Sequence, residues 1–132
     1  MIAIDTNILI RIFAEDDPAQ NRAAVSLLAQ YGKAGVLVTP LVLAEFVWVM
    51  RRRMKTPVSV IVGILDRIIN APEFIVNNQP QIEEALEIYR TGRCDFSDCL
   101  IVIAARDAGA TDVFTFDRRA AESIPGATLL SN

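Results

Sequence analysis

A chain of 132 residues, 52% of them apolar and with a formal net charge of −3, is long enough to bury a core without disulfides or a structural metal. It carries no global positive field that would draw in nucleic acid. It contains no histidine, which excludes histidine acid-base pairs, Ser-His-Asp and Cys-His nucleophiles and histidine metal ligation.

In chain order, Met1 to Ile4 is a short apolar burst stopped by Asp5-Thr6-Asn7, and Gly35 to Thr39, Glu73 to Val76 and Asp112 to Thr115 repeat that form. Such bursts predict buried strands. Helical spacing fills the intervals over Pro18 to Tyr31, Leu41 to Met54, Val58 to Ile69, Gln81 to Arg90 and Ser97 to Ala108. Gly32, Pro57, Pro80 and Gly109 punctuate their ends, and Pro125-Gly126 precedes a short last strand near Ala127 to Leu129. Strands alternating with helices predict a three-layer α/β/α sandwich with a central, mainly parallel sheet of four to five strands. With no repeat, low-complexity tract or linker, residues 1–132 are expected to form a single domain.

Cys94 and Cys99 flank a helix start and read as small buried thiols. The longest uncharged stretches fall short of the roughly eighteen residues that cross a bilayer, and the N-terminus lacks a basic region and cleavage site. The expected location is cytoplasmic, with no membrane association. The positive mean hydropathy suggests helices buried on more than one face, or a surface covered by a partner, and an oligomer or a tight complex is expected.

In parallel sheets ligands bind beyond the carboxyl ends of the strands, where Asp5 and Asp117 fall. Each acidic residue also has a structural explanation. Asp5 or Asn7 serves to cap the following helix, Asp95 or Ser97 to cap another with Asp98 in its first turn, and Asp117 to cap Arg118 to Ser123. Glu45 differs, being the only charged residue in Leu41 to Met50. Buried there, its carboxylate would be costly unless protonated, paired or bound to metal; with its head in water at the mouth of the sheet it would not be. Clustered carboxylates without histidine suit Mg²⁺ or Mn²⁺, ions that offset the mutual repulsion, bind phosphate oxygen and acidify a bound water.

Four segments together carry a resemblance: Ile4-Asp5-Thr6-Asn7, Leu43-Ala44-Glu45 in a helix, Asp95-Phe96-Ser97-Asp98 opening a helix, and Thr115-Phe116-Asp117 after a late strand. In order and spacing, over essentially the whole chain, they resemble PIN domains of the VapC type. The resemblance implies a metal-dependent endoribonuclease, the toxin of a toxin-antitoxin pair. It also implies an RNA substrate, a cognate antitoxin protein and a homodimer. The implied acidic site is Asp5, Glu45, Asp98 and Asp117, with Asp5 and Asp98 most directly on the metal, Thr6, Asn7 and Thr115 on its rim, and Asp95 either a cap or a site member.

An aspartate-based phosphotransfer domain also places an aspartate after its first strand, but relies on a late lysine, and here the only lysines are Lys33 and Lys55. A PIN-like binding module without catalysis is the other alternative, and the four filled acidic positions speak against it. Arg51-Arg52-Arg53-Met54-Lys55 is the densest basic run. It reads either as solvated charge complementing a helix dipole or, with Arg90, Arg93, Arg118 or Arg119, as a holder of RNA phosphates.

Overall fold

The apolar bursts are the strands, and every strand pairing is parallel. The computed structural model describes residues 1–131 and divides into two compact units, one of Met1–Asn78 and one from Gln79 onward. Three of the strands pair in a sheet of the first unit and two in a sheet of the second.

In the first unit β1 (Ile2–Ala3), β2 (Val36–Val38) and β3 (Phe74–Val76) lie in the order β1-β2-β3. The middle strand is apolar because both its faces are covered, and Val36 and Val38 are 1% and 0% exposed. Gly35 enters it with φ of +100°, and a Cβ there would run into the Ile75 side chain, so only glycine fits. Helices α1 (Thr6–Phe13), α2 (Pro18–Tyr31), α3 (Pro40–Trp48) and α4 (Val58–Asn70) connect the strands. Their starts are encoded locally: Asp17 accepts from Gln20 N at 3.0 Å and Thr39 from Val42 N at 3.4 Å, each followed by a proline in the first turn. Leu9, Leu43, Phe46, Ile61, Leu65 and Ile68 form the buried core. Phe13 meets Phe46 edge-on at 6.0 Å and lies 5.5 Å under the Arg67 guanidinium.

The helix expected to run unbroken from Leu41 to Met54 ends as α-helix at Trp48 and continues as one π-helical turn, Val49–Arg53, closed by Met54 N donating to Val49 O at 3.1 Å. Continued α-helical spacing would carry Arg53, seven residues after the buried Phe46, back onto the core face. The wider turn keeps Met50 buried and leaves Arg51, Arg52 and Arg53 exposed.

In the second unit α5 (Gln79–Tyr89) packs on α6 (Phe96–Asp107), followed by β4 (Val113–Thr115), α7 (Arg118–Ser123) and β5 (Ala127–Leu129). Ile82, Ala85, Leu86, Tyr89, Cys99, Val102 and Ile103 are buried, and the Tyr89 ring meets Phe96 edge-on at 5.6 Å. At the surface two Arg106 nitrogens donate to the two Glu84 oxygens, each at 2.6 Å. That fork holds the Glu84 carboxyl below the usual carboxylate range, chiefly through the hydrogen bonds. Strands β4 and β5 pair in register, Val113 with Ala127 and Thr115 with Leu129.

Candidate functional site

Asp5 lies immediately after β1, where the chain turns from strand into α1, and its carboxylate accepts from Ile8 N at 3.0 Å. It is exposed and serves as the helix cap. The next residue, Thr6, donates its hydroxyl to Glu45 Oε1 at 3.2 Å. The first unit therefore ties the Asp5-Thr6 turn at the end of β1 to α3, which starts at the end of the neighbouring parallel strand β2.

The cost of burying Glu45 does not arise, because the residue is exposed. The helix around it is apolar in composition on every face but not buried on every face. Leu41 and Trp48, four residues before and three after Glu45, are 70% and 54% exposed and share its solvent-facing stripe, while Leu43, Phe46 and Val47 are buried. Composition alone does not distinguish a helix that is covered all round from one whose apolar outer stripe faces water.

The second unit holds the other two candidates. Asp98 stands in the first turn of α6 and is half-buried. Burial first, then the negative charges of Asp95 and Asp117, push its carboxyl above the ordinary aspartate range. Asp117 follows β4, is exposed, and accepts from Ala120 N at 3.0 Å as the cap of α7. Its own backbone N–H donates to Thr115 Oγ1 at 3.0 Å, which explains why the Thr115-Phe116-Asp117 turn begins with a hydroxyl.

Asp95 occupies the cap position of α6, yet its side chain makes no capping hydrogen bond. It acts on Asp98 through its charge instead, an effect that sequence spacing left open against simple capping. Cys94 and Cys99 are free, with Cys99 buried, and their sulfurs stand 3.4 Å apart across the start of α6. Desolvation pushes both thiols up, so they are poor nucleophiles and metal ligands.

The candidate carboxylates offer oxygen donors only, the chemistry that Mg²⁺ and Mn²⁺ prefer. The raised Asp98 carboxyl beside two like charges is an arrangement a divalent cation would relieve. Among the described residues no group of three or more His, Cys, Asp or Glu side chains stands close enough together to hold a metal ion.

Among the described residues no helix is long and apolar enough to cross a membrane. The chain is 30% identical, over 92 residues, to a VapC ribonuclease of Aquifex aeolicus (strain VF5); that stretch covers 70% of this chain and 67% of the relative. The PIN domain family model matches residues 2–124, a span that contains Asp5, Glu45, Asp98 and Asp117 and reaches across both units. With helices alternating with parallel strands and acidic residues at the predicted strand and helix ends, this chain belongs to the PIN domain family.

Proposed function

We propose that this protein is a divalent-metal-dependent endoribonuclease and the toxin of a toxin-antitoxin pair, with Asp5, Glu45, Asp98 and Asp117 as its functional carboxylates. The observation that carries the proposal is Asp98, drawn partly out of water at a helix start and set beside the charges of Asp95 and Asp117. Carboxylates set among like charges and partly drawn out of water cluster at functional sites. The family and the similarity to a VapC ribonuclease supply the reaction class.

Asp5 and Asp98 would hold the ion, Mg²⁺ or Mn²⁺, which when bound neutralises phosphate charge and makes water a better nucleophile. Glu45, held by the Thr6 hydroxyl, and Asp117, oriented by its cap, position water and substrate and accept the proton that water releases. Oxygen from water bonds to phosphorus, the bond from phosphorus to the 3′ oxygen breaks, and that oxygen leaves with a proton. The products carry 5′-phosphate and 3′-hydroxyl ends. No histidine is present to drive attack by the RNA's own 2′ hydroxyl.

The exposed Leu41 and Trp48 beside Glu45 support coverage by a cognate antitoxin or a second copy in a homodimer. The family match across both units supports a single functional domain. End analysis of RNA cut in Mg²⁺ or Mn²⁺ tests the mechanism. Cyclic phosphate ends, or undiminished cleavage in excess chelator, would overturn it, and RNA binding without cleavage would return the chain to a binding module.

A further inference from the structure

Cys94 and Cys99, the chain's two cysteines, meet across the start of α6. Asp95 is the cap residue and Phe96 the first helical one, so Cys94 immediately precedes the cap and Cys99 is the fourth residue of the helix. A hydrophobic staple brings those two positions together, which is why sulfurs five residues apart in the chain stand 3.4 Å from each other. A staple needs only apolar bulk, and valine or leucine would bury more of it. Two thiols add the capacity to bond. Both are free, Cys99 buried and Cys94 half-buried, and they bracket Asp95 and Asp98. Desolvation acts most on the Cys94 thiol, and the charges of Asp98, Asp95 and Asp117 act on it as well, so its sulfur lies in the same acidic surroundings.

We infer that Cys94 and Cys99 form a reversible disulfide latch that, once closed by a peroxide, displaces Asp98 and slows the ribonuclease. The inference rests on the ribonuclease reading above and adds its regulation. The half-exposed Cys94 sulfur attacks one peroxide oxygen, the O–O bond breaks, and the other oxygen leaves as water with the thiol proton. The Cys99 sulfur then attacks that of the Cys94 sulfenic acid, the S–O bond breaks, and the hydroxyl leaves as water with the Cys99 proton. Two thiols are oxidised to one disulfide and the peroxide is reduced to two waters. With Cys99 already in contact, the second step is intramolecular and outruns a second peroxide. The thiols are pushed up, which makes the first step slow, so the latch answers sustained peroxide and not a brief exposure. Closure draws the sulfurs from 3.4 Å to about 2 Å, and the turn that carries Asp95 and Asp98 has to absorb the difference. Metal ligands tolerate errors of only about 0.2 Å, and a misplacement of about 1 Å costs about 100-fold in rate.

The test treats the full chain with hydrogen peroxide, removes the excess with catalase, and follows both peptide mass and RNA cleavage in Mg²⁺. Trypsin cuts after Arg93 and Arg106, releasing one peptide that contains both cysteines. That peptide should be lighter by two hydrogens and refuse alkylation after unfolding, while cleavage falls about 10- to 100-fold. Dithiothreitol should restore both. Cys94→Ser and Cys99→Ala should cut RNA as reduced wild type does and keep cutting after peroxide. Sulfinic or sulfonic acid on Cys94 beside a free Cys99, or a disulfide joining two copies, would overturn the latch. Disulfide closure with undiminished cleavage would overturn the switch and leave the ribonuclease standing. A loss of cleavage shared by the two variants and not reversed by dithiothreitol would assign it to methionine oxidation and overturn the switch likewise. A reduced wild type that cuts no RNA would overturn the ribonuclease reading and the switch together, with the peptide mass still deciding the disulfide.

Discussion

Replacing Glu45 by glutamine separates a functional carboxylate from a structural one. The exposed side chain accepts a hydrogen bond from Thr6 Oγ1 at 3.2 Å, and glutamine retains an oxygen to accept it. The loss is the difference between a charge-assisted and a neutral hydrogen bond in water, about 0.5 kcal/mol. For a chain of this length that corresponds to a shift of about 2 °C in melting temperature. Breaking a buried ion pair would instead cost about 3–5 kcal/mol, or about 10–18 °C. The assay is a thermal melt of both proteins in excess chelator and again in Mg²⁺, together with RNA cleavage. The expected result is a metal-free melt within a few degrees of wild type, a smaller Mg²⁺-induced rise, and cleavage reduced by orders of magnitude. A metal-free drop of about 10 °C or more would refute the exposed, functional placement of Glu45. Undiminished cleavage would remove it from the site.

Asp98→Asn is expected to abolish cleavage without loss of stability at neutral pH, because burial and the charges of Asp95 and Asp117 disfavour its ionised form. The native carboxyl holds its proton to a higher pH than the unfolded one, so wild type gains on the variant as pH falls through the raised Asp98 value into the ordinary aspartate range; parallel stability curves for the two would contradict this. Gly35→Ala combines a φ of +100° with a side-chain clash against Ile75 and should lower stability by about 1–3 kcal/mol in urea unfolding. A variant as stable as wild type would show that β2 starts differently. Cys99, buried and with its thiol pushed up, should react with iodoacetamide far more slowly in native than in urea-unfolded protein, and comparable labelling by mass spectrometry would contradict the packing at the start of α6.

What was legible in the sequence is what is decided within a few residues of chain. Asp5 and Asp117 cap the helices they precede because capping requires only a short acceptor and the next turn's N–H groups. The apolar bursts became parallel strands because each is too short for a helix and is bounded by turn residues. Family membership was readable because four short motifs kept their order along the chain. Helix α1 was visible only through its cap, Asp5, since its eight residues offer little periodicity.

Exposure, by contrast, depends on which face of an element its neighbours cover, and Glu45 shows the consequence. Its apolar surroundings in sequence left open either costly burial or a carboxylate with its head in water, and packing decided for water: Leu43, Phe46 and Val47 take the covered side of α3 and leave Glu45 with Leu41 and Trp48 exposed. The same packing decided where α3 widens into a π-helical turn, since only a core that accepts Met50 and rejects Arg53 makes a change of register worthwhile. The approach of the Cys94 and Cys99 sulfurs and the charge of Asp95 and Asp117 on Asp98 likewise belong to the tertiary structure. Asp117, 19 positions from Asp98 in the chain, acts on the protonation of Asp98 only after folding sets the distance between them, because Coulomb energy and desolvation depend on distance and burial, which sequence separation does not give.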